Sequence, residues 1–372
     1  MPATDDRRAA AAAPVTPDDL DYELPAEAIA QSPVEPRDAA RLLVDRGDYV
    51  AHLRVGDLPE LLGPGDVVVV NDTRVLPARL RLRRATGGAV EVLLLHERDD
   101  GDWEALVRPS RRLRSGEVVA PERPLRPPGA GMRGDLEDGA AGVEIRDDLG
   151  EGRRIVRVRT GGRLLLEVLD EIGSVPLPPY ITGGIDDDER YQTVYSRAPS
   201  SAAAPTAGLH FTEQLLQRVR DCGAEVVAVE LAVGLDTFRP ITAARLDDHH
   251  MHAEQYLVPL EVQQALGRAG RVVAVGTTVV RCLETWAATG EASGRSSLFI
   301  RRPYAWQVVD ALMTNFHLSR STLLCLLDAF VGPRWRTLYS AALAEGYRFL
   351  SFGDAMFVER SVPAVRGEAS SG

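Results

Sequence analysis

Apolar and polar residues alternate with different periods in two parts of this chain. In residues 18–75 and 161–360, apolar runs typical of buried strands, such as Val67–Val70 and Arg271–Val275, alternate with helically spaced segments such as Glu213–Cys222. Residues 76–160 instead carry short alternating strands separated by turn residues. The pattern predicts the α/β class, with a mixed α/β main domain and an inserted antiparallel β-barrel.

The same pattern predicts individual elements and two disordered tails. The barrel strands are predicted at Arg79–Arg84, Ala89–His96, Trp103–Arg108, Gly142–Arg146 and Ile155–Val158. The other elements predicted in the main domain include a helix at Pro25–Gln31, strands at Arg41–Val44 and Ala224–Val233, and helices at Val279–Ala287 and Ser321–Phe330. Residues 1–17 and 361–372 have the composition of disordered tails, and Pro121–Gly139 is rich in turn residues.

Composition narrows the possible chemistry and location. The 372 residues carry a net charge of −11, and all 43 basic residues are arginine, which excludes Schiff-base chemistry and a lysine base. Three widely spaced cysteines favour a reducing compartment over a disulfide framework. The absence of a membrane-spanning apolar run or a signal segment predicts a cytoplasmic protein without membrane contact. Nothing in the sequence indicates an obligate protein partner.

Three polar loops that precede helices predict a composite active site. They are Pro205–Thr212, Gly276–Thr278 and Thr314–His317, and a fourth polar cluster, Asn71–Arg74, follows the apolar strand Val67–Val70. Loops at the carboxyl ends of strands are where α/β folds bind ligands.

The residue types in these loops suggest particular roles. His210 is a candidate acid or base, whose pKa we expect near operating pH, although it could simply bond the loop backbone. The helix start at Gly276 is suited to an anion such as a carboxylate or a phosphate, or Thr277 or Thr278 could cap the helix. The side-chain amide of Asn315 can both donate and accept hydrogen bonds, which suits recognition of a polar ligand.

Charged residues in these segments leave two interpretations open. Arg281 and Glu284 share a helix face one turn from the Gly276 loop, so they form either a solvated ion pair or part of the site. Asp72 and Arg74 could hold the hydroxyls of a ligand or each other. The group His249, His250, His252 and Glu254 has ligand-type residues without a clear ligand set, and we predict no metal.

The ordered motifs closely resemble the S-adenosylmethionine:tRNA ribosyltransferase-isomerase family of queuosine biosynthesis, over about Leu20–Val358. The matching segments are Asp21–Pro25, Ile29–Gln31, Glu35–Asp38, Asn71–Val75, Pro176–Ile181, Tyr191–Tyr195, Pro205–Thr212, His249–Glu254, Val275–Thr278 with Arg281 and Glu284, Thr314–Leu318, Tyr347–Phe349 and Gly353–Met356.

The resemblance implies a reaction and its participants. The ribosyl part of S-adenosylmethionine is joined to the aminomethyl group of a 7-deazaguanine at the tRNA wobble position and rearranged to an epoxycyclopentanediol, while adenine and methionine leave. S-Adenosylmethionine and tRNA are substrates, and no cofactor is implied. The chemistry needs a base for the proton beside the sulfonium, a proton donor for adenine and anchors for a charged substrate.

Motif position and residue chemistry together give the candidate site residues. The catalytic candidates are His210, Arg281, His317 and Asp72. The substrate-binding candidates are Arg74, Tyr180, Tyr195, Thr206, Gly208, Gly276, Thr277, Thr278, Glu284, Asn315 and Asp354.

Four positions depart from the family pattern. Where the family usually reads Leu-His-Val-Gly-x-Gly-Thr-Phe, this chain has Ala232 in place of histidine and Asp236 in place of glycine; Ser319 and Val279 replace a usual proline and serine. Ala232 favours an alternative, a relative that acts on a small nucleoside without RNA. A non-catalytic RNA-binding relative is a third hypothesis. The presence of four candidate site residues argues against it: His210, Arg281, Asn315 and His317.

The barrel segment carries a local positive excess within an acidic chain. Residues 76–126 hold 11 arginines and 8 acidic residues. We expect Arg108, Arg111 and Arg112 to contact tRNA phosphates; a solvated charged face is the alternative.

Overall fold

The computed structural model describes residues 15–98, 100–122, 141–234, 240–251 and 253–360. The predicted tails and the turn-rich segment Pro121–Gly139 lie outside these ranges, apart from residues 15–17 and 121–122, and so do Asp236 and His252. Pro17 begins a 3₁₀ helix, Pro17–Leu20, in which Leu20 is fully buried, so ordered structure starts within the predicted tail.

The described residues form strands and helices that alternate along the chain. The strands are β1 (Arg41–Asp45), β2 (Val50–Arg54), β3 (Asp66–Asn71), β4 (Thr73–Val75), β5 (Arg79–Arg83), β6 (Ala89–Glu97), β7 (Trp103–Arg108), β8 (Val118–Pro121), β9 (Gly142–Gly150), β10 (Arg153–Arg159), β11 (Gly173–Ser174), β12 (Ala198–Ser201), β13 (Glu225–Leu231), β14 (Glu254–Leu257), β15 (Arg271–Val275), β16 (Ser293–Ser296), β17 (Ala311–Asn315) and β18 (Ala355–Glu359). The α-helices are α1 (Leu165–Ile172), α2 (Glu213–Asp221), α3 (Leu260–Arg268), α4 (Thr277–Thr289), α5 (Thr322–Val331) and α6 (Trp335–Ala344).

A nine-stranded sheet in the order β16-β14-β13-β3-β15-β17-β18-β1-β2 forms the main domain. Its central strand β3 is apolar on both faces because both are covered: Val67 and Val69 join one hydrophobic core, and Val68 and Val70 join the other. This confirms the double burial that the continuous apolar run predicts.

Strand direction brings the polar loops to one edge of this sheet. The neighbouring strands β13, β3, β15 and β17 are parallel, so their carboxyl ends lie side by side. Strand β18 is antiparallel to β17, which brings the residues just before it to the same edge. The loops that follow these strands are therefore brought together by topology alone.

The second sheet is a closed barrel, as predicted. Strands β5, β6, β7, β10, β9 and β8 pair in that order, and β8 returns to β5. Strand β8 was not predicted because this four-residue strand borders the turn-rich segment, and only its pairing with β5 and β9 identifies it. The two-residue strand β11, which pairs with β5, was not predicted either.

The predicted helix Pro25–Gln31 is wrong in extent. The structure has a single 3₁₀ turn, Ala26–Ala28, because the backbone groups that would continue a helix bond elsewhere. The backbone carbonyl of Phe349 accepts from the amide of Ala30, and the Phe349 amide donates to the carbonyl of Ala28.

In the part of the chain that the structure describes, no helix combines the length and the hydrophobicity that a membrane span requires.

Two histidines are buried near the carboxyl edge of the sheet. Burial, followed by the charge of Arg348, lowers the pKa of His210 to about 4, although a backbone hydrogen bond with Arg37 acts in the opposite direction. Burial alone lowers the pKa of His317 to about 3. Both rings are therefore neutral in the folded protein at neutral pH, which corrects the expectation of a His210 pKa near operating pH.

These histidines predict loss of stability in mild acid. Below pH 6.5 the unfolded chain binds protons that the folded protein cannot. The stability present above pH 6.5 is therefore lost as pH falls toward about 4 for His210 and about 3 for His317. Each buried ring should lower the free energy of unfolding by about 2 kcal/mol at about pH 5. The free energy of unfolding should be measured by urea unfolding at about pH 7.5 and at about pH 5. Its decrease between the two pH values should be about 2 kcal/mol smaller in His317→Gln than in wild type.

The exposed His250 offers a control, since its ring meets solvent in both states. His250→Gln should leave the pH-dependent loss unchanged. An unchanged loss in His317→Gln would contradict the assignment of a buried, neutral ring.

Candidate active site

The amide of Asn315, at the carboxyl end of β17, joins three segments at the sheet edge. Thr206 Oγ1 donates to Asn315 Oδ1 at 2.9 Å, and Asn315 Nδ2 donates to the carbonyl of Asp354 at 3.3 Å and to His210 Nε2 at 3.1 Å. Because an amide nitrogen only donates, His210 Nε2 is the acceptor and the ring proton lies on Nδ1. The network brings together the predicted residues Thr206, His210 and Asn315.

Gly208 allows the 3₁₀ helix Thr206–His210 to approach its neighbour closely. A Cβ atom there would overlap the hydroxyl of Tyr195, so this position requires glycine. The Tyr195 hydroxyl is buried and has no hydrogen-bond partner among the described residues. Burial, then the charge of Asp72, raises the pKa of Tyr195. Two of the predicted substrate-binding residues, Gly208 and Tyr195, are thus in direct contact behind the loop.

Helix α4 begins at the same edge, after β15. Its N-cap residue is Gly276, with φ of 93°, and no side chain caps the helix. The alternative that Thr277 or Thr278 acts as the cap is therefore wrong. Thr278 Oγ1 is buried without a hydrogen-bond partner among the described residues. The uncapped amides of the first turn remain suited to an anion.

Arg281 and Glu284 are both buried on α4 and do not form the solvated pair considered above. Arg281 forms an ion pair with Glu254. The Glu284 carboxylate accepts backbone amides from Gln307, Val308 and Val309 at 3.0 Å each. Glu284 therefore holds the segment before β17, away from the Asn315 network.

Asp72 and Arg74 also take separate partners. Asp72 Oδ2 accepts two hydrogen bonds from Arg197, at 2.9 and 2.7 Å, and Arg74 pairs with Glu189. Asp72 Oδ1 is buried without a partner among the described residues. Burial, then the charge of Asp72, raises the pKa of Glu230. The pair of Asp72 with Arg74 does not form, and Asp72 keeps one acceptor available.

Three more predicted site residues lie at this edge of the sheet: His317, Tyr180 and Asp354. His317 Nε2 lies 3.1 Å from Thr314 Oγ1, and the Tyr180 hydroxyl lies 2.7 Å from Ser351 Oγ. Tyr180 and His317 line a cavity of about 20 Å³ together with Thr206 and Asn315. The Asp354 carboxylate accepts the backbone amides of Arg41 and Arg348, at 2.9 and 2.8 Å, which fixes the turn before β18.

A cleft of about 290 Å³ separates the barrel from the carboxyl end of β13. Its barrel wall consists of Leu76, Leu95, His96, Glu97, Arg98 and Trp103. Ala232, Gly234 and Glu254 belong to the opposite wall. Glu254 Oε1 accepts the amide of Gly234 at 2.9 Å, and its other oxygen pairs with Arg281, so the predicted Arg281 reaches the cleft through Glu254.

Sequence reasoning missed this cleft because it depends on how the barrel meets the sheet. Its wall residues lie far apart in the chain, and the departure at Ala232 was the one signal that pointed to it. Among the described residues, no group of three or more His, Cys, Asp or Glu side chains gathers in a metal-binding arrangement.

The predicted RNA-binding arginines lie at the far end of the barrel from the cleft. Arg108, Arg111 and Arg112 are exposed and have no acidic partner among the described residues. Strand β7 runs from Trp103, in the cleft wall, to Arg108, so its extended length separates the two by roughly 17 Å.

Comparison with known proteins identifies relatives along nearly the whole chain. The profile of the Queuosine biosynthesis protein family matches residues 17–358. The S-adenosylmethionine:tRNA ribosyltransferase-isomerase of Rubrobacter xylanophilus is 52% identical over 346 residues, which cover 92% of this chain and 97% of that protein. The enzyme of the same name from Thermus thermophilus is 51% identical over 353 residues, covering 91% of this chain and 98% of that protein.

A solved structure agrees with these matches. The crystal structure of S-adenosylmethionine tRNA ribosyltransferase from Thermotoga maritima is similar with a TM-score of 0.50 at 34% identity, covering 91% of this chain and 99% of that chain. Since the family profile and the relatives both extend over more than nine-tenths of the sequence, this chain belongs to the queuosine biosynthesis protein family.

Proposed function

We propose that this protein transfers and isomerises the ribosyl moiety of S-adenosylmethionine onto 7-aminomethyl-7-deazaguanine at the tRNA wobble position. The products are epoxyqueuosine-tRNA, adenine and methionine. The observation that carries the proposal is the 52% identity with the Rubrobacter xylanophilus enzyme over 92% of this chain. S-Adenosylmethionine is a substrate here, no further cofactor takes part, and a tRNA substrate places the reaction in the cytoplasm.

The sheet edge offers separate places for the parts of S-adenosylmethionine. The order β17, β15, β3, β13 places Asn315, Gly276, Asp72 and Ala232 in sequence along about 14 Å of edge. Asn315 suits the adenine edge, and the uncapped amides after Gly276 suit the methionine carboxylate. Asp72 Oδ1, which has no partner among the described residues, suits a ribose hydroxyl.

His210 is the base in this proposal. Its pKa of about 4 leaves the ring neutral and able to accept a proton at neutral pH. Nε2 is occupied by the Asn315 amide, so a bound substrate must draw that amide away before the ring can react. Adenine provides the competing donor and acceptor groups for Asn315.

The direct test of the function is product analysis. Incubation with S-adenosylmethionine and tRNA carrying the aminomethyl precursor should release adenine and methionine in equal amounts and produce epoxyqueuosine by nucleoside mass analysis. Adenine release without a change in nucleoside mass would instead favour the small-nucleoside alternative.

Replacing His210 should reduce turnover while the fold remains. Glutamine keeps an acceptor for Asn315 but cannot take up a proton, so His210→Gln should turn over roughly 100- to 10,000-fold more slowly. His52→Gln is a control because that ring lies against Tyr347, on the opposite side of the strand pair β1–β18. Near wild-type turnover in His210→Gln would remove this residue from the chemistry.

The barrel arginines are proposed to bind tRNA phosphates. Changing Arg108, Arg111 and Arg112 to glutamine should weaken tRNA binding and lower the slope of log affinity against log salt by about 2, since each contact to loop RNA contributes about 0.7. Binding of S-adenosylmethionine should not change, because the cluster lies at the far end of β7 from the cleft.

A matched pair of double variants tests whether the effect on tRNA binding is specific to the barrel arginines or follows from removing any exposed positive charge. Arg218 and Arg220 are exposed on α2 of the main domain. The double change Arg111→Gln with Arg112→Gln should lower the slope more than Arg218→Gln with Arg220→Gln, which removes the same charge. Equal effects of the two pairs would show that the barrel cluster is only a solvated face.

A further inference from the structure

A β-bulge turns His96 out of the barrel and into the cleft. On β6, Val90, Val92 and Leu94 all point into the barrel core. Leu94 pairs with Ala105, but His96 pairs with Glu104, so Leu95 is an extra residue between them. Without this bulge, His96 would follow the alternation into the core. With it, the side chain lies on the outer face, where bulges commonly redirect a residue toward a functional site.

Glu104 supports the redirected ring. As the cross-strand neighbour of His96, it places Oε2 3.9 Å from Nε2 of the imidazole, within ion-pair range. Its other oxygen accepts from Arg153 at 2.5 Å, which holds the carboxylate in place. The distance is too long for a hydrogen bond, but the negative charge of the fixed carboxylate stabilises the imidazolium that forms when the ring takes up a proton.

The other described histidines do not line the cleft. His210 and His317 are buried near β17, and His52 bonds Tyr347. Of the histidines within the described ranges, His96 is the one in the cleft wall. The opposite wall carries the methyl group of Ala232, where the family resemblance leads one to expect an imidazole.

We propose that His96 is a proton-accepting catalytic residue of this cleft, acting on the amine nucleophile carried by the tRNA base. The proposal rests on the function proposed above. The imidazole takes a proton from the aminomethyl ammonium, and the electrons of that N–H bond become the nitrogen lone pair. This lone pair then attacks a ribosyl carbon while the bond from that carbon to its leaving group breaks, and the leaving group takes that electron pair. The new secondary ammonium loses its extra proton to solvent, and the imidazolium returns its own proton to solvent.

The cleft lining carries charges of both signs. Glu97 follows His96 in the barrel wall and attracts a protonated amine, whereas Glu254 is paired with Arg281, and Arg98 and Arg295 also line the cleft. His96 retains about a third of its side-chain exposure, so the ring can return its proton to water. The barrel that supplies this wall also carries the arginine cluster proposed for tRNA phosphates.

The test compares His96→Gln and His96→Ala with wild type, using S-adenosylmethionine and precursor-bearing tRNA. Turnover should fall roughly 100-fold or more in both variants, while the KM for S-adenosylmethionine changes less than about threefold. Added imidazole should restore His96→Ala by at least about tenfold, and so should the second change Ala232→His, which returns an imidazole to the opposite wall. His52→Gln is the control for losing a histidine elsewhere.

The outcomes distinguish this inference from the proposed function. A wild-type protein that leaves both tRNA and S-adenosylmethionine unchanged would overturn the function itself. An active wild type with His96→Gln above half its turnover would overturn only the role of His96. A folded but slow His96→Ala that neither imidazole nor Ala232→His restores would also overturn it, because a purely structural loss is not rescued by a proton acceptor.

Discussion

The candidate site depends on one buried amide. Asn315 receives a hydrogen bond from Thr206 and donates one to His210 and one to the carbonyl before β18, so a single side chain fixes a loop, a ring tautomer and a strand connection. In a site this buried, each group left without its partner costs about 1–3 kcal/mol. That cost makes the arrangement all-or-none, and a ligand that engages the amide perturbs all three segments together.

The topology of the main sheet explains why few side-chain contacts are needed to bring the site residues together. Parallel β13, β3, β15 and β17 bring residues from distant parts of the chain to one edge without any interaction between their side chains. The barrel is inserted directly after β3 and β4, at this same edge, so one wall of the cleft is supplied by the insertion. The reacting groups proposed here therefore come from the main domain and from the barrel, whose hydrophobic clusters are separate.

Local pattern determined most of what the sequence could predict. The runs Trp103–Arg108 and Arg271–Val275 match their strands residue for residue, and the polar loops lie at one edge because parallel strands leave no other arrangement. Partners across long sequence separations could not be predicted: Arg281 pairs with Glu254, and Asp72 with Arg197. The side of the barrel on which His96 lies was also hidden, because a bulge is a property of the register between two strands.

Closure of the barrel has a consequence for the colloidal behaviour of the protein. Within the described ranges, closure leaves the two-residue β11 as the one edge strand of the barrel sheet, whereas the nine-stranded sheet ends in β16 on one side and β2 on the other. Strand β16 is short and consists of Ser, Gly and Arg, and β2 carries His52 and Arg54. Short, polar or charged edges resist strand-to-strand aggregation. In the described part of the chain, the sheets therefore offer little template for fibrillar assembly, even though four of the six residues of the central strand β3 are valine.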